Sequence, residues 1–291
     1  MINRREFLKA TSGALAFSLP VMRFGSGSLA SYPAPGVQLY TFFDVLDADT
    51  EGTLKKMAGV GVRNIESAFS RKGDYYGMPA RDFKAMIDKC GMRWRSHHVL
   101  GAPLSGAGSP PPKTLRDNLP QVLEDAAAGG WEYIVAAHLP IGTRDQVKAS
   151  LDILNAAAGP CKKAGVQLVY HNEPADFKVI DGKTPYEVFL NGTDPEALKF
   201  ELDIAWAVKG GQAPEALFDQ YPGRFPLWHI KDLSKDYSTV LPVGEGVLDY
   251  YKYFSLADRS GLKYYFIEHE SPKDALASVS ESIATIRAYS K

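Results

Sequence analysis

From residue 37 onward, short runs of apolar and β-branched residues alternate with longer stretches in which apolar residues recur at helical spacing. The runs predict strands at 37–41, 64–67, 93–98, 133–137, 167–171, 199–203, 226–230 and 263–268. The periodic stretches predict helices at 50–58, 80–90, 114–128, 144–164, 214–221, 250–260 and 273–289, and a short helical piece at 185–190 in the polar loop after the fifth strand. Three helices stop at a glycine directly before the next strand, at Cys90-Gly91, Ala164-Gly165 and Ser260-Gly261, as expected of a helix turning back to a sheet. Eight strand-then-helix units predict an α/β fold, a single (β/α)8 TIM barrel over residues 31–291. An open doubly wound sheet is the alternative, but no Gly-x-Gly-x-x-Gly follows the first strand, so a nucleotide-binding version of it is not indicated.

Composition narrows the class. A chain of 291 residues with 45% hydrophobic and 23% charged residues is an ordinary globular protein. The formal charge of −1 hides an asymmetry: residues 1–30 carry Arg4, Arg5, Lys9 and Arg23 against Glu6, a balance of +3, which leaves −4 for the rest. A mildly acidic body excludes nucleic acid as the main partner, because neutralising phosphates needs a basic face. The N-terminus, Arg4-Arg5-Glu6-Phe7-Leu8-Lys9 followed by a weakly apolar stretch and Ser28-Leu29-Ala30, resembles a twin-arginine export signal. It places the mature chain in the periplasm. The apolar stretch is too short to span a bilayer, so no stable membrane insertion is expected. Cys90 and Cys161 each close a helix at the N-terminal face of the expected barrel, on either side of the fourth strand, too far apart for a bridge.

The candidate chemistry lies at the strand ends. His97, His98, His138, His171, His229 and His269 all fall at or just after the C-terminal end of an expected strand, the face on which TIM barrels carry their active sites. Glu66, Asp203 and Glu268 close strands two, six and eight, and Glu173 follows strand five. Carboxylates framed by apolar residues are costly unless paired or metal-bound. The expected ligand set is His171, Asp203, His229 and Glu268, and a mixed imidazole and carboxylate set suits Mn²⁺, Zn²⁺, Co²⁺ or Fe²⁺ better than Ca²⁺.

Seven segments carry a family resemblance: Gln38-Leu39-Tyr40-Thr41, Gly61-Val62-Arg63-Asn64-Ile65-Glu66, Ser96-His97-His98-Val99, Tyr170-His171-Asn172, Phe200-Glu201-Leu202-Asp203-Ile204-Ala205-Trp206, Trp228-His229-Ile230-Lys231-Asp232 and Phe266-Ile267-Glu268. Together they resemble the sugar phosphate isomerase/epimerase family of the xylose-isomerase-like TIM barrels. The resemblance covers essentially all of residues 35–291. It implies one divalent ion at the barrel mouth, with Asp203, His229 and Glu268 on the last three ligand positions. The first position is a glutamate in the ketose epimerases, where it doubles as a base; here it is His171. Relatives with histidine there include keto-inositol dehydratases, so elimination next to a ketone is a rival to isomerisation.

The expected reaction removes a proton beside a metal-polarised carbonyl to give an enediolate. Returning a proton to the other face or the neighbouring carbon isomerises or epimerises a free sugar or keto-sugar, and expelling a leaving group eliminates. Glu268 is expected as ligand and base; Glu66, Glu173 and His98 are acid/base candidates, and Lys231 would bring positive charge to a substrate oxygen. His138, Trp206 and Tyr40 are expected to contact a small-molecule carbohydrate. Plainer readings stand beside these. Glu66 could pair with Arg93 or Arg95, and Lys231 with Asp232 or Asp203. Strand alternation lets only one of His97 and His98 face the axis and turns His269 away from Glu268. A non-catalytic sugar-binding barrel is the rival class.

Overall fold

The computed structural model describes residues 32–104 and 111–289. The expected export segment at 1–30 lies outside the described residues, as does part of the Gly/Pro/Ser loop after the third strand. Eight parallel strands close into a barrel: β1 (Gly36–Gln38), β2 (Asn64–Ser67), β3 (Arg93–Leu100), β4 (Tyr133–Ala137), β5 (Gln167–His171), β6 (Leu198–Asp203), β7 (Leu227–Ile230) and β10 (Tyr264–Ile267). The barrel shuts where β1 pairs with β10, Gly36 beside Phe266 and Val37 beside Ile267. A two-stranded antiparallel hairpin, β8 (Asp232–Leu233) and β9 (Val240–Leu241), projects from the end of β7.

Register places the polar layer. His171 sits beside Glu201 on β5 and β6, and Asp203 sits beside His229 on β6 and β7. A bulge on β3 lets Ile65 pair with Trp94 and Glu66 with Ser96, skipping Arg95. The extra residue re-aims the rest of β3, and Ser96 and His98 then turn inward beside Glu66. One layer below, Val135, Val169, Leu227 and Phe266 form a separate fully buried cluster inside the barrel. This apolar plug is the interior packing expected of an eight-stranded barrel, and it closes the site from beneath. The larger core lies between strands and helices.

Four local expectations change. β1 ends at Gln38, and Leu39–Phe42 forms one tight 3-10 turn. β3 runs on to Leu100, so His97 and His98 lie within the strand and not at its end. A helix absent from the sequence reading, Ile204–Lys209, starts immediately after β6 because the Asp203 side chain caps it, Oδ1 accepting from Trp206 N at 2.8 Å. The expected helix at 250–260 breaks at Leu256 into Tyr250–Ser255 and Ala257–Ser260. Both cysteines are free, as expected.

Candidate active site

Inward-facing residues from seven of the eight strands or their extensions meet in a buried polar cluster of two tiers. The lower tier centres on two glutamates with no solvent exposure, Glu66 and Glu201. Glu66 Oε1 accepts from Gln38 Nε2 at 2.9 Å and lies 2.5 Å from His229 Nε2 and 2.9 Å from His98 Nε2; its Oε2 accepts from Ser96 Oγ at 2.5 Å. Glu201 Oε2 lies 3.1 Å from both His98 Nε2 and His171 Nδ1, and 3.3 Å from His229 Nε2. The upper tier opens toward the mouth. His229 Nδ1 lies 3.1 Å from Glu268 Oε2 and 3.9 Å from Asp203 Oδ2. His171 Nε2 is 3.9 Å from Glu173 Oε1. The Lys231 ammonium pairs with Glu268 at 2.6 Å, with Asp203 at 2.9 Å and with Glu270, its Nζ 4.4 Å from the centre of the Trp206 ring.

These contacts dispose of several plainer readings. Glu66 does not pair with Arg93 or Arg95: Arg93 reaches Asp88, and Arg95 reaches Glu132 and Asn64. Lys231 does pair with Asp203, but not with Asp232, whose oxygens cap the backbone at Leu233, Gly244 and Leu248. His97 points out of the barrel into an aromatic cage of Tyr75, Trp94 and Trp131, its Nδ1 2.7 Å from Ser67 Oγ. His269 turns away to Ser278 Oγ at 2.8 Å. Both are structural, as strand alternation predicts. His138 is exposed just past β4 with a positive φ of 54°. Tyr40 stands at the β1 rim against Phe43 and Phe69.

Charges follow from the contacts. Burial pushes the Glu66 carboxyl up, but His98 and His229 outweigh it and hold it well below the usual range. Glu268 is likewise pushed up by burial and held well below it by Lys231 and His229. Burial lowers the His98 imidazole, yet Glu66 and Glu201 raise it to about 9. His229 is raised well above its ordinary value by Glu201, Glu268 and Glu66 against the effect of burial. His171 goes the other way, held neutral by burial and by the neighbouring His229 and His98. Burial carries Glu201 to about 7, with Glu66 adding to it, and Glu173 to about 8, with Lys231 opposing.

A stability prediction follows. His98 is protonated in the folded protein up to about pH 9 but only to about 6.5 when unfolded. Its folded value is raised, so its contribution is fully present below pH 6.5 and disappears as pH rises through 9. Glu173 and Glu201, raised to about 8 and 7, bind protons in the fold that the unfolded chain has already released, which acts in the same direction. The metal-free protein is therefore expected to lose stability steadily between pH 6.5 and 9 in urea titrations, and His98→Gln is expected to flatten that slope. An unchanged slope would contradict the protonated His98 bridge.

Among the described residues, two groups of side chains bring ligand atoms within 4.8 Å of one another: His98, His171, Glu201 and His229, and Asp203, His229 and Glu268. The expected ligand set is thus divided, with His229 common to both groups and His171 in the first. The orientation of the rings reunites it. His171 and His229, 4.5 Å apart between ring centroids, each give one nitrogen to the lower carboxylates. His229 turns its other nitrogen to Asp203 and Glu268, and His171 turns its other toward Glu173. A carboxylate behind a histidine is the usual support for a metal-ligating imidazole. Asp203 Oδ2 is buried and, although 2.9 Å from Lys231 Nζ, makes no hydrogen bond. A buried anionic oxygen without a hydrogen bond is one that a bound cation would satisfy. The donor set therefore fits a divalent ion.

Gln38, Ser96, Glu201 and Glu270 were not singled out from the sequence. The signal for three of them was strand alternation: Ser96, Glu201 and Glu270 each stand two residues from His98, Asp203 and Glu268 and so share their face. Gln38 has no such partner and comes into place only through barrel closure.

The molecule resembles two crystal structures of sugar phosphate isomerase/epimerases from Parabacteroides distasonis ATCC 8503. One is 28% identical with a TM-score of 0.73, covering 90% of this chain and 97% of the other. The second is 26% identical with a TM-score of 0.76, covering 89% and 100%. An inosose dehydratase from Bacillus cereus (strain AH820) is 21% identical over 167 residues, 52% of this chain. The match spans about half, 55%, of that relative's own length. The sequence profile of the xylose isomerase-like TIM barrel family matches residues 54–289. With its closed eight-stranded parallel barrel and that match over most of its length, the chain belongs to the xylose isomerase-like TIM barrel family.

Proposed function

We propose that this protein is a divalent-metal-dependent enzyme that isomerises or epimerises a free sugar or keto-sugar, working in the periplasm after twin-arginine export. The observation that carries the reading is the shared orientation of His171 and His229, each backed by a buried carboxylate at one nitrogen and each turning its other nitrogen to the carboxylates of the mouth. His171, Asp203, His229 and Glu268 would hold the ion. A divalent ion there would polarise a substrate carbonyl and hydroxyl and acidify the C–H between them.

The chain's own groups then divide the work. Glu268 is ionised and would take a proton from substrate. Glu173, raised to about 8 and at the edge of the site, is a neutral acid at pH 7 and returns one. Glu66 and His98 lie beneath, with both Glu66 oxygens engaged, and hold His229 in place. Trp206, half-buried in the helix that follows β6, offers a ring face, and Tyr40 and His138 line the rim. Mn²⁺, Zn²⁺, Co²⁺ and Fe²⁺ all suit these donors. A phosphorylated substrate is not indicated, since no Gly-rich phosphate cradle is present in the sequence.

Elimination from a keto-sugar is the second reading. It is favoured by His171, which cannot be the carboxylate base of a ketose epimerase, and by the inosose dehydratase relative. Incubating the purified mature protein with Mn²⁺ and a panel of keto-sugars in D₂O tests both. Solvent deuterium in recovered or epimerised sugar supports the first reading, and ultraviolet absorption of an enone supports the second. Glu268→Gln is expected to lower either signal by about 10²–10⁴-fold. Sugar binding without exchange or elimination would overturn both and leave a binding protein. Fractionation of cells producing the full chain checks the compartment; cytoplasmic retention would contradict export.

A further inference from the structure

We propose that Lys231 is a built-in competitor for the cation site, and that Glu270 takes over its ammonium when the ion binds. This rests on the metal-dependent reading above.

Lys231 Nζ is in ion-pair contact with Asp203 Oδ2 and Glu268 Oε2, two of the oxygens assigned to the ion. Its side chain has no solvent exposure, so neither water nor salt screens the charge. An ammonium and a dication sharing the same two oxygens would stand a few ångström apart in a low-dielectric site, where like charges repel strongly. One of them must give way.

The structure offers a place for it to go. Glu270 lies just beyond β10, its side chain 28% exposed, and already receives Lys231 Nζ on Oε1. Its second oxygen, Oε2, is buried and makes no hydrogen bond. An ammonium has three donors. If an ion occupies Asp203 and Glu268, the vacant Glu270 oxygen replaces an acceptor that Lys231 loses. The Trp206 face beneath the ammonium gives it a second favourable contact on the path. Until the ion arrives, Lys231 neutralises three carboxylates that would otherwise repel one another in the interior. Glu270 is thus a positioning residue, acting on the ion through Lys231.

Calorimetric titration with Mn²⁺ alone tests this, using the full mature chain at fixed pH. Lys231→Met is expected to bind Mn²⁺ at least about tenfold more tightly than wild type, and Glu270→Gln about tenfold more weakly. In the Lys231→Met background, Glu270→Gln is expected to change affinity by less than about twofold, because its effect passes through the lysine. If Lys231→Met does not fold, Lys231→Gln, which keeps a hydrogen-bond donor, takes its place in the cycle. Wild-type affinity in the lysine variant, or an equal effect of Glu270→Gln in both backgrounds, overturns the proposal while leaving the cation site standing. No Mn²⁺ binding by wild type, or binding unchanged in Asp203→Asn, would bring down the site and this proposal with it.

Discussion

Asp203→Asn is expected to weaken divalent-metal binding by at least about a hundredfold, since even the outer supports of a metal site are worth 10–100-fold. The substitution separates two jobs of one side chain. Asp203 Oδ1 caps the helix Ile204–Lys209 through Trp206 N, while Oδ2 faces His229 Nδ1 and Lys231 without a hydrogen bond. Asparagine keeps an oxygen for the cap and removes the charge. The variant should therefore fold, with a thermal midpoint close to wild type, while losing the ion. Asp203→Ala would also lose the cap, at about 0.5–2 kcal/mol, and would confuse the two. Metal titration monitored beside thermal unfolding checks the prediction. An Asn variant that binds as tightly as wild type would show that the ion sits elsewhere.

His229→Ala is expected to be the most destabilising single change in the barrel interior, by about 3–5 kcal/mol in urea unfolding of the metal-free protein. The imidazole has no solvent exposure and contacts four carboxylates, Glu66 at 2.5 Å, Glu268 at 3.1 Å, Glu201 at 3.3 Å and Asp203 at 3.9 Å. Burial alone would discharge it; the surrounding acids keep it protonated. Removing it leaves a cluster of buried anions with only Lys231 and His98 to balance them. The cost should fall when Glu66→Gln is added, because one of the stranded charges goes too. This sign of coupling is the mark of an electrostatic network and not of a lost volume. A single variant within 1 kcal/mol of wild type would show that the cluster is held by packing instead.

The fold was readable because parallel barrel strands are buried on both faces and appear as apolar runs, each followed by a helix with its own stop signal. The polar layer was readable for the converse reason. Asp203 inside Leu202-Asp203-Ile204 and His229 inside Trp228-His229-Ile230 are costly exceptions to an apolar rule. What escaped the sequence reading was vertical order within the barrel. Nothing in the residue types says that Glu66 lies beneath His229 and Glu268 beside it. That is set by strand stagger and by the bulge at Arg95 of β3, opposite Ile65 and Glu66. Glu201 escaped because it reads as one more charged residue in Lys199-Phe200-Glu201, although its spacing from Asp203 puts the two on one face. The helix after β6 escaped because its sequence, Ile204–Lys209, is too short and apolar to show a periodic pattern.

The lower tier also bears on the proposed role of His171 as a metal ligand. Glu201 receives His171 Nδ1, which leaves Nε2 as the nitrogen available at the mouth. On the proposed reading, Glu201, one strand over, would act on the ion through the His171 imidazole. In the proposed reaction, proton transfer would then fall to Glu268 and Glu173.

The most direct test is a crystal structure of the purified mature protein loaded with Mn²⁺, with the ion located by its anomalous scattering. One ion per chain is expected, with His171 Nε2, Asp203 Oδ2, His229 Nδ1 and Glu268 Oε2 at about 2.0–2.3 Å, the range of such coordination bonds, and with Glu66 and Glu201 still behind the imidazoles. An ion held instead by His98 and Glu201 in the lower tier, or a protein that takes up no ion at all, would contradict the account.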